Sequence, residues 1–303
     1  MGQPWVNITF TKKVLSVETR RSRVNTDADL RDLRNAVIAA SRVSSFYETY
    51  IQKAKSLGRP VNIMPRDSTQ ILLQMINQKV YVCERLEERE PCIVASSILW
   101  DYELPVPSSG GHCGYAPERF LEFGTQVSTL PGFQLQWVLT AITLIEQLVF
   151  DPTGVMYAAT YGDNEHAAEN FSGTMRFAEW LTLPPTLEST RLHHLEDGGA
   201  AELARGVRWF RPTIETVVSA ANLILDLHRN PNRTVKIASG KTAESYPVKG
   251  VHFSFDPDGF KLATFADILA FCRKISERNP RDLTELKAAA GNFSITDDFI
   301  CLD

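Results

Sequence analysis

RFLEFGTQVSTLPGFQLQWVLTAITLIEQLVFDPTGVMYAATYGDNEHAAENFSGTMRF, residues 119–177, changes its hydrophobic period repeatedly. In LEFGTQVST (residues 121–129) apolar and polar residues alternate in the first half, which predicts a strand. Leu121, Phe123 and Val127 fall on one face, with Thr125 between the last two. Pro131 and Gly132 break the strand. From Gln134 the spacing becomes three and four, and Leu135, Val138, Leu139, Ile142, Ile145 and Leu148 mark one side of a helix. Asp151, Pro152 and Gly154 punctuate again, and GVMYAATY then reads as a buried strand. Gly162, Asp163 and Asn164 end it, and HAAENFSGTMRF reads as a second helix. A strand–helix–strand–helix unit of this kind normally sets two neighbouring strands parallel.

Composition bounds the rest. A chain of 303 residues makes one large or two ordinary domains, and 44% hydrophobic with 22% charged residues is the balance of a globular protein. The net charge of −4 leaves no basic footprint for nonspecific nucleic-acid binding. Cys83, Cys92, Cys113, Cys272 and Cys301 stand far apart with no metal-ligand spacing, which implies reduced thiols in a cytoplasmic setting. No metal site is expected. The start, MGQPWVNITFTKK, lacks the apolar run of a secretory signal, and no stretch is long and apolar enough to enter a membrane. Gly2 is followed by Val6 where a myristoylation signal wants Ser or Thr.

Residues 5–17 are β-rich. RVNTDADLRDLRNAVIAAS follows, a helix capped by Asn25, Thr26 or Asp27 with an apolar stripe of Leu30, Leu33, Val37 and Ile38, continuing to Gly58. DSTQILLQMINQ is a further short helix capped by Asp67 or Ser68. Residues 79–104 read as two strands of a hairpin joined at residues 87–90. The Pro-, Ser- and Gly-rich stretch 105–118 is either a loop bordering a binding site or a plain connector.

This order of elements resembles the GNAT superfamily of N-acetyltransferases over about residues 14–180. Asn164, Ala167, Phe171, Met175 and Phe177 resemble the family's N-x-x-A…Y…(L/M)-G-F helix, with Arg176 where the pattern has Gly and a spacing one residue long. VSTLPGFQ resembles the acyl-CoA loop in Pro131, Phe133 and Gln134; the family's following glycines are replaced by Leu135, Gln136, Trp137 and Val138. The resemblance implies a mixed α/β sheet with a GNAT-like acyltransferase core at residues 1–185 and a C-terminal α+β extension at 186–303. It also implies acetyl-CoA or another acyl-CoA as co-substrate, or an acyl group delivered on a carrier protein. The acceptor would be a small-molecule or peptide amine, with no nucleic-acid or membrane partner, and a homodimer is allowed.

Acyl transfer to an amine needs a base for the amine proton, a polarised thioester carbonyl and an acid for the leaving thiolate. The resemblance implies Glu122 as base, with Glu118 as the spare; the bland reading of Glu122 is a solvated sheet residue. Backbone N–H groups at Val127, Ser128 and Thr129 would polarise the carbonyl. The N–H groups of Gln134, Leu135, Gln136 and Trp137 would cradle phosphate at a helix N-terminus. Trp137 equally reads as a core residue. Asn164 and Phe171 would line the cofactor. Phe171 has no proton to give where the family has tyrosine, so Tyr161, Ser172 or water would serve as acid. Two further readings stay open: a degenerate GNAT-like binding or structural module, and an acyl-CoA hydrolase or decarboxylase on the same fold.

Other constellations carry less. His112 beside Cys113 diverges from it in an extended loop. Arg191, His193, His194 and Glu196 form a polar linker without helical ligand spacing. Asp256, Pro257, Asp258 and Gly259 make a turn rather than a calcium loop. RPTIETVVSAANLILDLHRN and TFADILAFCRKISERN read as amphipathic helices, VKIAS and YPVKGVHFSFD as strands. Asp297, Asp298 and FICLD suggest a C-terminus resting on an apolar surface.

Overall fold

The computed structural model describes residues 4–15, 27–63, 66–77, 79–86, 91–104, 118–182, 206–235, 248–256, 264–291 and 295. Its strands are β1 (Trp5–Lys13), β2 (Val80–Arg85), β3 (Cys92–Leu104), β4 (Glu118–Ser128), β5 (Val155–Tyr161), β6 (Ala178–Glu179), β7 (Val207–Arg211), β8 (Asn232–Thr234) and β9 (Gly250–Phe255). Its helices are α1 (Asp27–Ser56), α2 (Ser68–Ile76), α3 (Leu135–Phe150), α4 (Glu165–Glu169, running into a π-helical turn, Asn170–Thr174), α5 (Ile214–Arg229), α6 (Phe265–Arg278) and α7 (Leu283–Ala290). The strands join in one sheet in the order β6-β7-β5-β4-β3-β2-β1-β9-β8. β4–β5 and β1–β9 are parallel and the other pairs antiparallel, so the fold is the mixed α/β class that the order of elements implied. Strands from both sides of residue 186 share the sheet: β7 lies between β5 and β6, and β9 lies beside β1.

Helices cover both faces. α3, α5, α6 and α7 pack over Ile8, Phe10, Tyr81, Leu99, Leu121, Phe123, Met156 and Phe253. α1 and α2 pack over Val80, Val82, Ile98, Trp100 and Val127. In α1 the buried stripe is Ala36, Ala40, Val43, Tyr47, Ile51 and Ala54. The stripe expected from the large aliphatics is therefore wrong: Leu30, Val37 and Ile38 are 57%, 44% and 48% exposed, and only Leu33 packs partly against the sheet layer. Small alanines at helical spacing let the helix approach the strands closely, which Leu or Ile at those positions would prevent. Asp27 is the first residue of α1, and Asn25 and Thr26 lie outside the described residues. Asp67 caps α2 in a capping box with Gln70.

A buried polar clasp ties α3 to the sheet. Lys12 of β1 pairs with Glu146 of α3, which also accepts from the Tyr81 hydroxyl at 2.8 Å. Lys79 bonds to Gln147 and lies 3.9 Å from Asp151. Arg119 reaches Asp101 at 2.5 Å and Asp151 at 2.7 Å. Burial raises the Asp151 pKa, but the Thr153 hydroxyl and the Arg119 guanidinium outweigh it and hold the carboxyl below its usual value. The clasp secures the end of β4 that pairs with β5.

Candidate functional site

Beyond that secured end, β4 and β5 part. They pair only at Phe120–Val155, Leu121–Met156 and Glu122–Tyr157. From Ala158 onward β5 pairs with β7. Opposite β3, Ile98 faces Gly124, but the next partner pair is Ser96 with Val127, so β4 carries one extra residue. Thr125 takes it up in a left-handed conformation, with φ at 53°.

The bulge reverses the alternation read in residues 121–129. Leu121 and Phe123 face α3, whereas Val127 is buried beneath α1 and α2. Gln126 turns the other way, its Nε2 donating to Thr140 Oγ1 of α3 at 2.8 Å. The expectation of Leu121, Phe123 and Val127 on one face is corrected, because a one-residue slip moves every later side chain across the sheet.

Three hydrogen bonds hold the strained backbone. The Tyr47 hydroxyl donates to the Thr125 carbonyl at 2.8 Å, and Trp100 Nε1 donates to Thr125 Oγ1 at 3.1 Å. Gln136 Nε2 donates to the Gln126 carbonyl at 3.2 Å. Gly124 is required by close approach: a Cβ there would stand 2.5 Å from Trp100 Cδ1.

Between the diverging strands lies a cavity of about 170 Å³. Thr125 and Gln126 of β4, Thr160 of β5, Gln136, Asn164 and Phe171 line it, together with Tyr50 and Asn62. Glu122 occupies the last paired rung, half-buried, with the Tyr157 hydroxyl 3.4 Å from its Oε2 and Trp100 opposite on β3.

Gln134, with φ at 55° and no side-chain cap hydrogen bond, is the N-cap of α3, and Gln136 of the first turn lines the cavity. The first N–H groups of a helix have no partner within it. Leu135 and Trp137 are buried in the core, and neither lines the cavity. A smaller cavity of about 90 Å³ borders the same turn, walled by Gly132, Gln134, Thr234 and Arg233, the last paired with Asp226.

The α4 segment explains its own irregular spacing. Asn164 caps the helix, its Oδ1 accepting from Ala167 N–H at 3.3 Å and its Nδ2 donating to Thr160 Oγ1 at 3.1 Å. The π-helical turn at Asn170–Thr174 absorbs one extra residue. Arg176 then adopts φ of 62°, as a glycine would, and Thr213 and Thr216 hydroxyls donate to its carbonyl at 2.8 and 2.6 Å. Phe171 is buried against Phe177 and Phe210, with ring centroids 5.8 and 5.2 Å away.

Not every residue singled out from the sequence reaches this place. Ser172 is exposed, donates to the Ala168 carbonyl at 2.9 Å and borders a separate groove beside Thr213 and Arg281. A π-turn rotates it away from the cavity that Phe171 lines. Tyr161 pairs with Val207 at the end of β5 and does not line the cavity. The Thr129 N–H and hydroxyl both donate to the Val94 carbonyl, at 2.9 and 3.1 Å, and Ser128 Oγ donates to the Leu130 carbonyl at 3.3 Å. Glu118 opens β4, but its side chain lies outside the described residues, as do His112, Cys113, Arg191, His193, His194, Glu196, the turn after Asp256, and residues 296–303.

Sequence reasoning passed over Tyr50, Asn62, His166 and Asn170, all of which line the cavity. The last two were legible as an i, i+4 pair, and Asn170 Nδ2 lies 3.3 Å from His166 Nε2. Among the described residues, no helix is long and apolar enough to cross a membrane. No protein-family model matches this chain, and no curated protein matches it in sequence.

Proposed function

We propose that the fork between β4 and β5 is the site of a GNAT-like acyltransferase that moves an acetyl or longer acyl group from an acyl-CoA thioester to an amine. The observation that carries this reading is the bulge at Thr125, which leaves β4 and β5 parted directly beyond Glu122. A parted pair of parallel strands exposes backbone hydrogen-bonding groups to a ligand that would otherwise be spent on the ladder. The thioester arm lies in the cavity lined by Gln126, Thr160 and Asn164. Its phosphates meet the N–H groups that open α3 at Leu135, Gln136 and Trp137, where the helix dipole favours anions.

Glu122 then stands beside the reacting carbonyl. It removes a proton from the attacking ammonium or amine, directly or through one water, as the nitrogen adds to the carbonyl carbon. A β4 backbone N–H near Val127 stabilises the oxyanion, the Thr129 amide being already committed to Val94. The C–S bond breaks as the tetrahedral intermediate collapses, and the amide and free thiol leave.

Thermal unfolding with and without acetyl-CoA tests the reading. Ligand at a hundred times its dissociation constant stabilises a protein by about 2.7 kcal/mol. Glu122→Gln should keep that shift and lose amine-dependent thiol release by about 10²–10⁴-fold. No shift with acetyl-CoA or a longer acyl-CoA overturns the proposal, and thiol release that ignores added amine redirects it to hydrolysis.

A further inference from the structure

We infer that Tyr157 is the positioning residue that aims the carboxylate of Glu122, an assignment that rests on the acyltransferase reading of the same fork. A carboxylate that takes the amine proton must present one oxygen along the line of attack, whereas an unrestrained glutamate spreads over several rotamers. Glu122 and Tyr157 are register partners on β4 and β5, at the last rung before the strands part. The Tyr157 hydroxyl donates to Glu122 Oε2 across 3.4 Å. Among the described residues no donor reaches Oε1.

The hydroxyl is itself fixed from behind. Tyr157 is fully buried, whereas Glu122 is half-buried. The tyrosine ring centroid lies 5.2 Å from that of Trp209, tilted by 41°, and 6.4 Å from that of Phe120, edge-on at 75°. Close packing of this kind holds a phenol in one rotamer. Trp209 and Phe120, on the strands to either side, thus set where the O–H points. The carboxylate in turn reaches along β4 past the last rung: a Cβ built on Gly124 would stand 3.4 Å from Glu122 Oε1. Glycine there keeps the space beside Oε1 clear of a side chain. The two oxygens divide the work, Oε2 accepting from Tyr157 and Oε1 taking the amine proton as the C–N bond forms. Tyr157 keeps its own proton throughout and touches no reacting atom.

The test measures thiol release from acetyl-CoA in a single turnover, with the fastest of methylamine, benzylamine and a lysyl peptide as acceptor. Wild type, Tyr157→Phe, Glu122→Gln and the double variant are compared. Phenylalanine keeps the ring contacts and removes the O–H. Tyr157→Phe should slow release by about tenfold at unchanged acetyl-CoA affinity. In the Glu122→Gln background the same change should cost nothing further, because the hydroxyl acts through the carboxylate. An equal loss in both backgrounds, a loss explained by weaker acetyl-CoA binding, or a wild-type rate overturns the assignment and leaves the acyltransferase reading in place. Should Tyr157→Phe fail to fold, Glu122→Asp decides: it keeps the carboxylate but draws it back from the hydroxyl by one methylene. It should show the same loss at wild-type affinity, and a wild-type rate there overturns the assignment. A wild-type protein that neither binds nor turns over acetyl-CoA removes both.

Discussion

The Tyr47 hydroxyl of α1 donates across 2.8 Å to the carbonyl of Thr125, the residue whose φ of 53° parts β4 from its expected path. One phenol therefore holds a helix and a strained strand together. A backbone conformation that costs about 1–3 kcal/mol persists only where its surroundings over-determine it. Tyr47→Phe deprives the carbonyl of that donor and should lower unfolding stability by about 1 kcal/mol, read from urea midpoints. Acetyl-CoA affinity should fall with it, because the fork is no longer held. Gly124→Ala, whose Cβ would stand 2.5 Å from Trp100 Cδ1, should be the more damaging change.

Arg176 offers the opposite sign. It adopts φ of 62° with its side chain exposed. A left-handed conformation costs a residue with a Cβ about 1–2 kcal/mol. Glycine avoids that cost and gives back about 0.5–1 kcal/mol through the freedom of its unfolded chain. Arg176→Gly should raise stability by roughly 0.5–1 kcal/mol by the difference, measurable as a higher urea midpoint at unchanged m-value.

Lys79 links stability to alkaline pH. Burial is the main cause that lowers its pKa to about 8 from an ordinary 10.5, against the pull of Asp151. Below pH 8 both folded and unfolded chains hold the proton, and the burial cost stands in full. Between about pH 8 and 10.5 the unfolded chain binds more protons than the folded one, so stability rises with pH across that window. The gain is on the order of 3 kcal/mol. Urea unfolding at pH 7 and pH 10 should show wild type gaining on Lys79→Met, and equal pH dependence in the two proteins would refute the link.

The Lys12–Glu146 pair makes a double-variant experiment decisive. Burial pulls the Lys12 pKa down, while Glu146 raises it. Removing one partner of a buried pair strands the other and costs about 3–5 kcal/mol. Glu146→Gln should destabilise by that amount although it can still accept from the Tyr81 hydroxyl. Adding Lys12→Met should restore most of the loss, and a double variant no better than the single would show that the pair is not coupled.

Periodicity made the parallel β4–α3–β5 unit legible, since strand and helix spacings are unmistakable over runs of this length. It failed at Thr125, because a bulge is one residue in a left-handed conformation and Thr leaves no trace of that choice in the sequence. The same holds at Arg176: the departure from the glycine pattern was visible, but the conformation it conceals was not. Leu121 and Phe123 precede the bulge, so alternation put both on the face they occupy. Tyr50 was missed because α1 was read by its large aliphatics, while the packing is decided by Ala36, Ala40 and Val43. Ser172 was favoured by closeness in sequence to Phe171, and the π-turn then carried it to another surface.

β1 pairs with β9 from Trp5–Gly250 to Phe10–Phe255, so β1 acquires one of its neighbours only when the chain has been made through residue 255. At about 5–20 residues per second, the nascent chain holds that edge unpaired for roughly ten to fifty seconds. An uncovered edge invites pairing with other chains, so a shortened version ending before residue 250 should be judged first by whether it precipitates, and only afterwards by whether it works.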